Sequence, residues 1–149
     1  MNSKTWKIYL AGEIHTTWRD HLQLAASEAN LPVEFSSPEL DHDSSDNCGV
    51  TILGAEDNAF WKDRKGAGIN AIRTKNLIAD SDIVIIKFGE KYRQWNAAFD
   101  AGFAHALNIP LIVIHPPEYN HALKEIDAAA NAVAETPEQV IEILKYIAG

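Results

Sequence analysis

The sequence predicts an α/β domain of the flavodoxin-like kind: a three-layer α/β/α sandwich around a five-stranded parallel sheet in the order 2-1-3-4-5. Two observations carry this expectation. Residues 83–88 read Ile-Val-Ile-Ile-Lys-Phe and residues 111–114 read Leu-Ile-Val-Ile; continuous apolar runs of strand length suit strands covered on both faces, as in a parallel sheet. Segments with helical spacing lie between these runs and the shorter β-rich ones, so strands alternate with helices and right-handed crossovers follow. In such a sheet the ligand crevice lies at the carboxyl ends of the strands where their order reverses, here between strands 1 and 3.

Each element has a local reason. Residues 6–10 form a short β-rich run that stops at the glycine turn of Ala11-Gly12. Thr16 or Thr17 can cap the next helix, with Asp20 in its first turn. Trp18, Leu22, Leu24, Ala25 and Ala29 fit its apolar face, and Asn30 and Pro32 end it. Residues 33–35 make a short strand 2. Residues 36–54 are polar and rich in Ser and Asp, which reads as a long loop; loops of that length are often functional or mobile. Residues 55–65 have a weak helical pattern, Gly66 and Gly68 interrupt it, and residues 70–80 read as a second helix. Gly89 ends strand 3. Residues 95–107 form a helix rich in Ala and Gly, closed by Asn108 and Pro110, and Pro116-Pro117 stops strand 4. Residues 119–129 read as a helix and 131–135 as a short edge strand. Thr136-Pro137-Glu138-Gln139 opens the last helix, which runs to about residue 148, with a cap, a proline at the first position and a capping box.

Composition bounds the partners. The 149 residues make one domain, 1–149. A formal net charge of −8 argues against a nucleic-acid polymer, whose phosphates need a basic face, and against anionic membranes. Cys48 is the one cysteine, so an internal disulfide is excluded and a reducing compartment is expected. Residues 1–7 have no apolar secretory core, and no apolar run approaches about 18 residues. The expected location is the cytoplasm. Dinucleotide, P-loop and Gly-x-Ser-x-Gly patterns are absent, which removes the corresponding enzyme classes.

Position selects the site candidates. Gly12, Glu13 and His15 follow strand 1, and Gly89, Glu90, Tyr92 and Arg93 follow strand 3, so both groups fall near the switch point. The helix opening at Gln94, Trp95 and Asn96 aims its amino end at the same crevice, where backbone N–H groups hold anions or sugar hydroxyls. Arg19 beside the first helix start reads either as a phosphate ligand or as an ordinary surface arginine. Asp100 reads either as a carboxylate able to attack an electrophilic carbon or as an early-turn acid favoured by the helix dipole. Asp41-His42-Asp43, with Asp46 and Cys48, lacks metal-ligand spacing and reads as a solvated acidic loop. His105 and His115 read as structural, and no metal or organic cofactor is expected.

Three stretches in chain order carry a resemblance. They are Tyr9-Leu10-Ala11-Gly12; Ala79-Asp80-Ser81-Asp82-Ile83-Val84-Ile85; and Phe99-Asp100-Ala101-Gly102-Phe103-Ala104-His105-Ala106 followed by Asn108-Ile109-Pro110-Leu111-Ile112. Together they resemble the nucleoside 2-deoxyribosyltransferases, and most of all their YtoQ subfamily. In that family a helix glutamate attacks the anomeric carbon of a 2-deoxynucleoside, and another base or water resolves the covalent sugar. The resemblance implies that Asp100 is the nucleophile, Asp82 the acid that protonates the leaving base, and Tyr9 the group that orients the nucleophile. It also implies a homodimer or higher homo-oligomer built on the small-residue helix. The sequence departs from the family pattern in three places: Asp100 is one methylene shorter than Glu, Gln94-Trp95-Asn96 replaces an acid-led segment, and Ile109 replaces a lysine. Trp95 can then stack a base, and Gln94 or Asn96 can hydrogen-bond it. The expected function is N-glycosidic cleavage or deoxyribosyl transfer on a nucleoside or nucleotide. The alternative is a non-catalytic module that binds or senses a nucleotide or nucleoside derivative.

Overall fold

Alternate residues of the central strands point into opposite layers, and this divides the core in two. Ile8, Leu10, Ile83, Ile85, Ile112 and Ile114 pack on one face, against Trp18, Leu22, Val140 and Leu144. Tyr9, Ala11, Val84, Ile86 and Val113 pack on the other, against Ile78, Ala97, Ala101 and Ala104. The computed structural model describes residues 4–91 and 93–149. Its elements are β1 (Trp6–Gly12), α1 (Trp18–Glu28), β2 (Val33–Ser36), α2 (His42–Leu53), α3 (Ala59–Ala79), β3 (Ile83–Lys87), α4 (Trp95–Ala106), β4 (Leu111–Ile114), a 3-10 turn (Pro117–Tyr119), α5 (Lys124–Ala129), β5 (Ala132–Ala134) and α6 (Pro137–Ala148). The sheet runs β2-β1-β3-β4-β5 with every pairing parallel. This is the flavodoxin-like order expected from the sequence. No helix among the described residues is long and apolar enough to cross a membrane.

Small side chains set the spacing of the second face. Ala97, Ala101 and Ala104 of α4 are buried, so the α4 backbone approaches the sheet closely. β1 continues two residues past Leu10 and ends at Gly12, which pairs with Lys87 of β3. At Gly12 φ is +109°, and an added Cβ would lie 2.1 Å from the Lys87 carbonyl oxygen. Only glycine fits that backbone and that approach.

The segment between β2 and β3 differs from the expectation. Residues 36–54 are not one loop: Asp41 accepts from the N–H groups of Asp43 and Ser44 and starts α2. Nor do Gly66 and Gly68 break the next segment, which is one 21-residue helix, α3. Gly66 is a packing point against α2, whereas an added Cβ on Gly68 would meet open space. A Cβ on Gly49 would lie 2.5 Å from Lys65 Cβ and 2.6 Å from the Gly66 nitrogen, so α2 and α3 cross in direct backbone contact. That contact offsets the roughly 1 kcal/mol that a mid-helix glycine costs. Residues 119–129 are not one helix: the 3-10 turn Pro117–Tyr119 ends at 119, and only Lys124–Ala129 is helical. Thr17 occupies the cap position of α1 but makes no side-chain capping bond, whereas the capping box of α6 forms between Thr136 and Gln139.

Candidate active site

Where β1 ends, α3 and α4 diverge above the sheet and leave a hollow of about 910 Å³. Tyr9 and Gly12 form its floor, α4 contributes Asn96, Phe99 and Asp100, and α2 contributes His42, Ser45 and Asp46. A second hollow of about 670 Å³ adjoins it, shares Gly12, Ile14, His15 and Asn96, and adds Glu13, Arg93, Gln94 and Trp95. The two together occupy the switch-point crevice.

Asp100 and Tyr9 meet in the larger hollow. Burial pushes the Asp100 carboxyl up from 3.8 to about 6, and among the described residues no cation or hydrogen-bond donor compensates it. Tyr9 is fully buried, and its hydroxyl has no hydrogen-bond partner among the described residues. Burial first, and then the nearby Asp100 carboxylate, push that hydroxyl up to about 12; Thr74 stands beside it outside hydrogen-bonding geometry. A buried polar group left without a partner costs about 1–3 kcal/mol. The Tyr9 hydroxyl is such a group, and the half-buried Asp100 carboxylate faces the same hollow, a pairing that calls for a functional explanation.

Asp82 is not at this site. It immediately precedes β3, so it sits at the amino end of the sheet, whereas the crevice lies at the carboxyl end. The five residues of β3 span roughly 16 Å at about 3.3 Å per residue. There the Asp82 carboxylate accepts from the Lys7 N–H at 2.9 Å and pairs with Lys4 Nζ at 2.9 Å. The Lys7 N–H and the Lys4 ammonium hold it below the usual carboxylate range. It does not converge with Asp100.

Three further expected ligands are committed to building the crevice. Arg19 is buried, and its guanidinium donates to the carbonyls of Leu10 (3.2 Å), Gly12 (3.2 Å) and Glu13 (2.7 Å). It caps the end of β1 instead of facing a phosphate. Burial lowers its pKa to about 10, which leaves it cationic at neutral pH. Glu13 accepts from the N–H groups of His15 (2.7 Å) and Thr16 (3.0 Å), from the Thr16 hydroxyl and from Lys87 Nζ (3.1 Å). Burial would raise its pKa, but these donors outweigh that and hold it below the ordinary value. Gln94, at φ +45°, accepts from the Gly89 N–H at 2.9 Å and donates to the Lys91 carbonyl. It therefore braces the turn after β3.

Gly89 and Glu90 line neither hollow. A Cβ on Gly89 would lie 2.8 Å from Glu13 Cγ, so its role is close packing. His15, Arg93, Trp95 and Asn96 do face the crevice, with Trp95 75% exposed. Tyr92 lies outside the described residues. His115 is buried with Nε2 2.9 Å from the Asp127 carboxylate and Nδ1 2.7 Å from the Pro116 carbonyl, a structural link from β4 to α5.

The wall that sequence reasoning missed belongs to α3. Asp63, Ala67, Asn70, Thr74 and Ile78 line the hollow at steps of three or four residues, which is one face of a helix. That stripe of mostly small and polar residues was visible in the sequence once residues 59–79 were taken as a single helix. Among the described residues no group of three or more His, Cys, Asp or Glu side chains is placed to hold a metal ion.

A carboxylate and a tyrosine hydroxyl that find no partner among the described residues, at the carboxyl end of a doubly wound sheet, mark an α/β domain with a crevice of small-molecule size. The model of the family described as nucleoside 2-deoxyribosyltransferase YtoQ matches residues 9–148, and the chain belongs to that family. The uncharacterized protein YtoQ of Bacillus subtilis (strain 168) is 46% identical over 140 residues, which cover 94% of this chain and 95% of that protein. Solved structures share the fold. A conserved protein from Enterococcus faecalis V583 superposes with a TM-score of 0.64 at 13% identity, covering 96% of this chain and 99% of that one. The 2-deoxyribosyltransferase from Bacillus psychrosaccharolyticus gives 0.56 at 18% identity, covering 91% and 90%. DNA processing protein A from Helicobacter pylori, which binds single-stranded DNA, gives 0.57 at 16% identity, covering 97% and 82%.

Proposed function

We propose that this protein cleaves or transfers across the N-glycosidic bond of a nucleoside or nucleotide, with Asp100 as the attacking carboxylate. One observation carries the reading: Asp100 faces a hollow of about 910 Å³ with its charge uncompensated. Attack by one Asp100 oxygen on the anomeric carbon would expel the base and leave a glycosyl ester, which water or a second base then opens. This is the two-step logic of retaining glycosidases. Tyr9 offers its hydroxyl proton to Asp100 or to the sugar, and Trp95 offers a face for a base. Family membership supports the substrate class. The test is incubation with a panel of nucleosides, 2′-deoxynucleosides and their monophosphates, followed by chromatography for free base. Base release abolished in Asp100→Asn supports the role, and unchanged release removes it.

A second reading has its own support. Asp100 is shorter than the family's glutamate, and reacting distance is unforgiving. The chain would then be a module that binds a nucleotide or nucleoside derivative in the same crevice. Ligand-induced thermal stabilisation without base release would favour this reading.

A further inference from the structure

We infer that His42, held by Asp46, gives the proton to the departing base and takes one back in the second half of the reaction. The inference rests on the Asp100 reading above and supplies what that reading lacks. With Asp82 at the far end of the sheet, the crevice needs another proton source, because a nucleobase leaves poorly as an anion. Imidazole is the side chain suited to exchange a proton near neutral pH.

The geometry points to His42 in particular. His42 and Asp46 are one turn apart on α2, so they share a face, and both line the hollow that holds Asp100. His42 Nδ1 lies 2.9 Å from Asp46 Oδ2. A carboxylate 2.9 Å from Nδ1 favours a proton on that nitrogen, and leaves Nε2 as the ring nitrogen that exchanges its proton with the base. The pair does not ride on a loose loop. Asp41 caps α2 one residue earlier. Asn70 Nδ2 donates to the Ser45 carbonyl at 3.1 Å and to its hydroxyl at 3.2 Å, and Gly49 locks the helix against Gly66. Both side chains remain open to solvent, 69% and 56% exposed, so water or an acceptor base can reach them.

The step balances. An Asp100 oxygen forms a bond to the anomeric carbon, the carbon–nitrogen bond breaks, and its electron pair goes to the base, which takes the proton from His42 Nε2. In the second half, water or an acceptor base gives a proton to Nε2 and attacks the anomeric carbon. The ester carbon–oxygen bond breaks, and its electron pair returns to Asp100.

The test is a leaving-group comparison. Base release is measured from 2′-deoxyadenosine and from 7-methyl-2′-deoxyguanosine, whose base is already cationic and departs neutral with no proton supplied. His42→Gln should lose roughly 10²- to 10⁴-fold on 2′-deoxyadenosine, the usual contribution of general acid catalysis, and less than about tenfold on the methylated donor. Asp46→Asn should follow the same pattern more weakly, and Asp100→Asn should lose both activities. His42 is exposed, so a melting curve matching the parent protein is expected for His42→Gln. Equal loss on both donors, or loss on neither, overturns the assignment to His42 while leaving Asp100 in place. If the parent protein releases base from neither donor, the glycosyl-transfer reading fails and the His42 assignment falls with it.

Discussion

Replacing Asp100 by asparagine should make the protein more stable, and only at neutral and alkaline pH. The carboxyl has an ordinary value of 3.8 and is raised by burial to about 6 in the fold. Between those values the folded chain holds a proton that the unfolded chain has released, so stability falls as pH rises through the window. The stabilising protonated form is fully present below pH 3.8 and lost above pH 6. At 1.36 kcal/mol per tenfold change in proton affinity, the penalty for ionised Asp100 is at most about 3 kcal/mol. Partial solvent access reduces that to about 1–2 kcal/mol. Asparagine keeps the shape and removes the charge. In a domain near 150 residues each kcal/mol moves the melting temperature by about 2–4 °C, so Asp100→Asn should melt about 2–8 °C higher at pH 8. At pH 3.5 the two proteins should melt together. Scanning calorimetry of both proteins at the two pH values decides it. A gain of the same size at both values, or a loss at pH 8, would show that the carboxylate is not a buried uncompensated charge.

Tyr9→Phe removes a buried hydroxyl that has no partner among the described residues, so urea denaturation should show a gain of about 1 kcal/mol while base release falls. A loss of stability would mean the hydroxyl is bonded after all. Gly49→Ala places a Cβ 2.6 Å from the Gly66 nitrogen and should cost about 1–3 kcal/mol as α2 is pushed from α3; an unchanged urea midpoint would contradict the backbone contact. Arg19→Met strips donors from the carbonyls of Leu10, Gly12 and Glu13 and should cost about 3 kcal/mol. If it instead raises the KM for a nucleotide selectively over its nucleoside, with stability intact, the guanidinium reaches a phosphate.

The parallel sheet was legible because its evidence is local. The 83–86 and 111–114 runs are apolar at successive positions, and only a strand covered on both faces makes use of that. The 36–54 segment was not legible, for an equally physical reason. α2 buries one residue, Gly49, and it packs on another helix instead of the sheet, so its sequence carries no apolar stripe. In α3 the glycine at 66 looks like a break to any propensity argument. Its function as a contact surface depends on Gly49, 17 residues earlier, and no local pattern records that pairing.

The misplacement of Asp82 follows from the geometry of parallel strands. Each strand of such a sheet is entered at one end and left at the other. A residue before a strand and a residue after it are therefore separated by the full strand length, however close they stand in sequence. Asp82 and Gly89 are seven positions apart and lie at opposite ends of β3. An acid followed by an apolar run thus marks where a strand begins and carries no information about the crevice. Asp100 lies beyond the strand, on the first helix to return over it, and so belongs to the crevice end; Tyr9, midway along β1, lines the same hollow because its side chain points into the α3–α4 layer. The remaining wall comes from α2 and α3, which reach the crevice from the side and owe nothing to strand order. For that reason the proton donor is to be sought among side chains on those helices. His42 on α2, which lines the hollow with its carboxylate partner one turn away, is the side chain proposed for that role.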